Sequence, residues 1–240
     1  MQSNSFIMLH GWGMSPQVFA PLSTQLNLAR TEAPALPGYP HSPWVFAPDF
    51  DRQLEQMAAD LPAGQLLGWS LGGLYAIELA RREPTKFKQV TLIACNPCFV
   101  RRPDWVHAVE AAVFDEFCAE LAQDWQRTLR RFLTLQMQGG ANARQFIREV
   151  SDRVLAQGTP DLEVLQFGLG LLNQHDARGS LSRLAQPVDL ILGERDLLVP
   201  IGLTQQISEV APGIRVESVA GAAHAPFLSH ISEVVALIGS

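Results

Sequence analysis

Gly68-Trp69-Ser70-Leu71-Gly72 lies between an apolar run and a helical stretch, and its reading decides the fold. The five residues match G-x-S-x-G, the pattern of a sharp strand-to-helix turn with a serine at its apex. Such a turn strains its central residue, and glycines on either side let the flanking backbones pass. The context fits: Gln65-Leu66-Leu67 reads as a short strand running into Gly68, and residues 71–81 read as a helix. A helix starting there directs backbone N–H groups and the positive end of its dipole toward the serine. The plainer reading of the same residues is a glycine-rich turn with a helix-capping serine.

Outward from the turn, short apolar strands alternate with helical segments. Ser5-Phe-Ile-Met-Leu9 ends at His10-Gly-Trp-Gly13, and residues 89–94, 188–192 and 214–219 repeat the strand pattern. Residues 231–238 fit a final helix. This alternation predicts an α/β fold, a mostly parallel sheet with helices on both faces. Residues 100–180 break the rhythm. Val106, Val109, Val113 and Phe117 follow helical spacing, as do Trp125, Leu129, Phe132, Leu133 and Gln136, with no strand between them. An inserted helical cap at 100–180 is expected, with residues 1–99 and 181–240 forming the core.

A 240-residue chain that is 47% apolar with a net charge of −6 is not a disordered one. Three cysteines exclude a disulfide scaffold, and Cys95-Asn-Pro-Cys98 lacks the second pair that a zinc site needs. No apolar run approaches the roughly 20 residues of a membrane span, and Met1-Gln-Ser-Asn-Ser5 does not read as a signal peptide. A cytoplasmic monomer is expected, with neither membrane nor nucleic acid as partner. No phosphate-binding loop is present, so nucleotide binding has no support.

A serine hydroxyl needs a base that is itself oriented by a carboxylate. His224, in Ala222-Ala-His-Ala-Pro226, lies between the last strand and the last helix. Asp196, in Gly193-Glu-Arg-Asp196, follows the strand at 188–192, with Glu194 as a rival. The chain order Ser70, Asp196, His224 is that of α/β-hydrolases and differs from those of chymotrypsin and subtilisin. The oxyanion of acyl transfer needs two donors. The N–H of Leu71 is one, and Trp12 in the loop after the first strand is the candidate for the other. His10 is expected to brace that loop, while His41, His107, His175 and His230 read as surface or structural. No metal or organic cofactor is required.

Leu9-His-Gly-Trp-Gly13, Leu36-Pro-Gly-Tyr39, Gly68-Trp-Ser-Leu-Gly-Gly73, Pro97-Cys-Phe99, Gln126-Arg-Thr-Leu-Arg-Arg-Phe-Leu-Thr-Leu-Gln136 and Ala222-Ala-His-Ala-Pro-Phe227 carry a resemblance over nearly the whole chain. They resemble α/β-hydrolases, and more closely the family of pimeloyl-[acyl-carrier protein] methyl ester esterases of biotin synthesis. The resemblance implies Ser70 as nucleophile, Asp196 as acid and His224 as base. It also implies substrate contacts from Trp12, Ser70 and Leu71, and from Phe132, Leu133, Thr134, Leu135 and Gln136 in the cap. The implied substrate is a pimeloyl methyl ester on acyl-carrier protein, a small acidic protein, with small esters also within reach. Two departures stand out. The leading strands usual in the fold are missing or very short, and Ala35-Leu-Pro-Gly-Tyr-Pro-His41 replaces the usual Asp-x-Pro-Gly-x-Gly.

Charge offers a separate check. Residues 125–155 hold six Arg (Arg127, Arg130, Arg131, Arg144, Arg148, Arg153) against Glu149 and Asp152, a local +4, so the rest of the chain carries −10. Arg127/Arg131 and Arg144/Arg148 are like-charge i,i+4 pairs, which slightly destabilise a helix. Docking of an acidic carrier protein would explain them, and a solvated helix face is the alternative. Two other readings share the residues: a general short-chain esterase or C–C bond hydrolase, and a ligand-binding receptor that turns over slowly.

Overall fold

The computed structural model describes residues 5–28, 30–137 and 158–238. Six strands form one sheet: β1 (Ser5–Leu9), β2 (Thr31–Glu32), β3 (Gly64–Trp69), β4 (Phe87–Ile93), β5 (Val188–Gly193) and β6 (Arg215–Val219), in the order β2-β1-β3-β4-β5-β6. Every neighbouring pair is parallel. Parallel strands need crossovers, and helices supply them on both faces. These are α1 (Ala20–Leu26), α2 (Phe50–Asp60), α3 (Leu71–Arg82), α4 (Ala111–Gln123), α5 (Trp125–Met137), α6 (Leu162–Gln174), α7 (Arg178–Leu181), α8 (Leu203–Val210), α9 (Pro226–Ser229) and α10 (Ile231–Ile238). Among the described residues no helix is long and apolar enough to cross a membrane.

The strands β1, β3, β4 and β5 are largely buried on both sides, the edge strands β2 and β6 only half so, and the two-residue period sorts the core into two layers. Ile7, Leu9, Leu66, Leu190 and Leu192 pack on one face with Leu54, Met57, Ile77 and Leu79 from α2 and α3. Phe6, Met8, Leu67, Trp69 and Ile191 pack on the other with Leu22, Phe227 and Val234 from α1, α9 and α10. The sequence reading of a parallel α/β sheet holds. Its strand at 5–9 and its helix at 231–238 have the observed bounds.

Between β4 and β5 the described elements are helical, but α4 begins at Ala111, so Val106 and Val109 do not continue its apolar face. The reason lies in the backbone. Val109 pairs with Val100, its N–H donating to the Phe99 carbonyl (3.0 Å) and its carbonyl accepting from Arg101 (2.8 Å). Arg102 and Trp105 bridge within the same excursion, around Pro103. Residues 100–109 are therefore a bridged loop whose valines fall at helical spacing without a helix. Below it, α7 packs on α3, and His175 Nε2 lies 3.0 Å from the buried Glu78 carboxylate. Burial alone would raise the Glu78 pKa, but hydrogen bonds from His175, Ser180 and Arg81 outweigh it and hold it at about 2.

Candidate active site

Four of the residues singled out in the sequence sit just past the carboxyl ends of strands: His10 after β1, Ser70 after β3, Asp196 after β5 and His224 after β6. Because the sheet is parallel, those ends share one edge, where sites of open α/β sheets form. Ser70 occupies the apex of the β3–α3 turn at φ 53°, ψ −119°, a region a non-glycine residue reaches only at a cost of about 1–3 kcal/mol. The turn is tight enough to exclude side chains beside it. A Cβ on Gly72 would lie 2.1 Å from the Leu9 carbonyl oxygen, and one on Gly68 would lie 2.5 Å from that of Gly72. The Ser70 N–H donates to the Ile93 carbonyl (3.0 Å), tying the apex to β4.

His224 is 1% exposed and Asp196 5%, and His224 Nδ1 donates to Asp196 Oδ2 at 2.8 Å. The other carboxylate oxygen, Oδ1, accepts from the N–H groups of Leu198 (2.8 Å) and Val199 (3.0 Å). Three donors thus hold the carboxylate in one orientation. Glu194 is exposed and accepts from the Gly221 N–H instead, so it does not reach the histidine. With Nδ1 committed to Asp196, Nε2 is the ring nitrogen left over, and it is buried without a hydrogen-bond partner among the described residues. The His224 loop is fastened beside the elbow by Trp69 Nε1, which donates to the His224 carbonyl at 2.9 Å. It is also held by α5, whose Gln136 carbonyl accepts the His224 N–H at 3.2 Å. Trp69 was not singled out by sequence reasoning, since a tryptophan before the serine looks like core.

The loop after β1 lies against the elbow: a Cβ on Gly11 would touch Ser70 Cβ at 3.3 Å. Trp12 Nε1 donates to the Leu165 carbonyl of α6 (2.8 Å). The backbone N–H groups of Trp12 and Leu71 make no hydrogen bond among the described residues. Phe132 meets Trp12 edge-on at 4.9 Å, and Phe117 meets both. Beyond these rings lies a mostly apolar cavity of about 110 Å³, lined by Phe99, Phe114, Phe117, Phe132, Leu169 and Leu172, with Glu120 and Arg131 also on its wall.

The inward face of α5 carries Leu129, Phe132 and Gln136. Gln136 is 0% exposed, and both its Oε1 and its Nε2 are without partners among the described residues. Thr134 does not join them. It lies on the exposed face, its hydroxyl donating to the Arg130 carbonyl one turn back, as the 3.6-residue turn requires of a position midway between 132 and 136. The side chains of Leu133 and Leu135 are not among those described. Arg127 and Arg131 share the exposed face. Arg131 Nη1 donates to Glu120 Oε2 at 2.5 Å, while the Arg127 guanidinium has no ion-pair partner among the described residues. Arg144 and Arg148 lie outside the described residues. Among those described, no three His, Cys, Asp or Glu side chains group as metal ligands would, and Cys95, Cys98 and Cys118 are free thiols.

A strained serine at the end of a parallel strand, beside a buried His–carboxylate pair, is the arrangement that defines a class, and the chain belongs to it: residues 6–237 match the Alpha/beta hydrolase family. Within that class the chain is 41% identical over 234 residues to the pimeloyl-[acyl-carrier protein] methyl ester esterase of Stenotrophomonas maltophilia (strain K279a), covering 97% of this chain and 90% of that one. It is 37% identical over 238 residues to the protein of the same name from Xylella fastidiosa (strain M12), covering 98% and 93%. An esterase from Exiguobacterium antarcticum superposes with a TM-score of 0.82 at 18% identity, covering 98% of this chain and 90% of that one, and shares the fold.

Proposed function

We propose that this chain, a carboxylic ester hydrolase, cleaves the methyl ester of a pimeloyl group carried on acyl-carrier protein, releasing methanol and a free carboxylate for biotin synthesis. The buried Asp196–His224 bond is the observation that carries the chemistry, because it leaves Nε2 as the one imidazole nitrogen free to take a proton. In this reading His224 deprotonates Ser70 as its oxygen attacks the ester carbonyl. The N–H groups of Trp12 and Leu71 hold the oxyanion, and a helix start behind Leu71 adds its dipole. His224 then protonates the departing methanol, and water activated by the same nitrogen frees the acid. The names and coverage of the relatives support the substrate.

The helices between β4 and β5 act in this reading as a cap that shapes the acyl pocket. Phe132 and Gln136 face the substrate, with the cavity behind Trp12 receiving apolar chain. Arg127, Arg131, Arg144 and Arg148 receive the acidic carrier, which competes with Glu120 for Arg131. The setting is a cytoplasmic one and the enzyme a monomer, for which three free thiols are the expected state. The test is growth of a biotin-requiring strain that lacks its own pimeloyl-ester esterase. Expression of the wild-type chain is expected to restore growth without biotin and Ser70→Ala to fail. Equal growth with both, or with neither when both are soluble, overturns the reading.

A further inference from the structure

The segment that departs from the usual family pattern, residues 35–41, is built into the loop that presents Trp12. Leu36-Pro37-Gly38-Tyr39 closes a turn through Tyr39 N–H to the Leu36 carbonyl (3.0 Å), with Gly38 at φ 82°. Proline and then a positive-φ glycine at the two central positions make this a type II turn. The turn reaches the β1 loop at two points. The Leu36 N–H donates to His10 Nε2 at 3.0 Å, and the Gly13 N–H donates to the Tyr39 hydroxyl oxygen at 3.0 Å. The Tyr39 and His10 rings meet edge-on at 4.6 Å. His10 accepts at Nε2, so its proton sits on Nδ1, which donates to the Gly11 carbonyl at 2.9 Å. Burial, opposed by that bond, lowers the His10 pKa to about 4 and keeps the ring neutral. Burial likewise raises the Tyr39 pKa, so the phenol keeps its proton.

These bonds have a geometric consequence. Gly11 C=O and Trp12 N–H belong to one planar trans peptide, so they point in opposite directions. Holding the carbonyl, through His10 and the Met14 N–H (3.2 Å), aims the Trp12 N–H. The next peptide plane, Trp12 to Gly13, is held by Tyr39. Of the two planes flanking the Trp12 Cα, the first is therefore held within the loop, by the His10 side chain and the Met14 N–H, and the second from outside it, by Tyr39.

We infer that Tyr39 is a positioning residue of the oxyanion hole: its hydroxyl, acting through the Gly13 N–H, holds the Trp12 N–H where the oxyanion forms. This rests on the proposed role of Trp12 as a donor. Losing an oxyanion donor outright costs about a hundredfold or more in rate, and a donor left in place but free to swing should cost less.

The test is Tyr39→Phe, which keeps the ring against His10 and removes the oxygen alone. Turnover of p-nitrophenyl butyrate is measured per active serine, counted by titration with an organophosphate. We expect kcat to fall roughly tenfold, KM to stay within about twofold, and the Ki of a boronic acid, which forms a tetrahedral adduct, to rise by the same factor as kcat falls. The pH dependence of kcat should keep its shape, since the base is untouched. A kcat per titrated serine within about twofold of wild type, or a KM that rises in place of the kcat loss, overturns the inference. If Tyr39→Phe does not fold, biosynthetic 3-fluorotyrosine, which enters only at Tyr39 and Tyr75, weakens the acceptor without changing its shape. It should lower kcat in the same direction, and an unchanged kcat overturns the proposal. Wild type inactive on every ester would instead overturn the functional reading itself.

Discussion

At Gln136 both ends of a side-chain amide are buried with no hydrogen-bond partner among the described residues, although the backbone carbonyl of the same residue is bonded to His224. An unmade bond at such a group costs about 1–3 kcal/mol, so the native state carries a local destabilisation that an apolar side chain would remove. A substrate that hydrogen-bonds the amide would offset it. We therefore expect Gln136→Met to raise the thermal midpoint by several degrees, at roughly 2–4 °C per kcal/mol for a chain of this size. The same variant should lower kcat/KM for the carrier-bound methyl ester about tenfold or more. A lower midpoint with unchanged kcat/KM would refute a substrate-facing role. The placement of Ser70, Asp196 and His224 just past strand ends was legible because each sits in a short local pattern. The Tyr39 contact with Gly13 was not, because it joins positions 26 residues apart that no periodicity connects.

The helix α5 separates two kinds of residue by its turn. Leu129, Phe132 and Gln136 point inward, where a Cβ on Gly13 would strike Leu129 Cδ1 at 2.4 Å, while Arg127, Arg130 and Arg131 face out. One element thus presents an inward face and a charged face, and Arg127 lies on the charged face outside the lining of the apolar cavity, which Arg131 shares. Arg127→Glu is expected to lower kcat/KM for carrier-bound substrate severalfold while leaving p-nitrophenyl butyrate within about twofold. The effect on the carrier substrate should shrink with added salt. Equal losses on both substrates would place the damage inside the pocket and argue against docking on this face. Helical spacing found α5 because its apolar face meets solid core. It misread residues 106–109, where the Val100–Val109 pairing captures the backbone that a helix would have used. Run on a two-residue strand such as β2, the same pattern reading has too few positions to register a period.

Across the whole molecule, the parallel α/β class and the site edge follow from a sequence of buried apolar strands split by helices, while the strand order β2-β1-β3-β4-β5-β6 did not follow from that alternation. Charge distribution was readable too, but only by segment. A net −6 conceals the +4 of residues 125–155, which includes the exposed Arg127 and Arg131. What sequence could not supply is the closure of the site. Ser70 is 6% exposed, Trp12 and Gln136 0%, and the cover comes from packing of α5 and α6 on loops far away in the chain. A site so covered, with an apolar cavity behind Trp12 and a basic outer helix, suits an acyl chain handed in by a carrier. The central claim concerns which bond of that substrate breaks, and intact-mass analysis of pimeloyl methyl ester-loaded acyl-carrier protein, incubated with the purified chain, measures it directly. The carrier is expected to lose the mass of one methylene, as methyl ester becomes acid with the thioester intact, and Ser70→Ala to leave the mass unchanged. Release of free carrier through thioester cleavage, or no change with active wild-type enzyme, would contradict it.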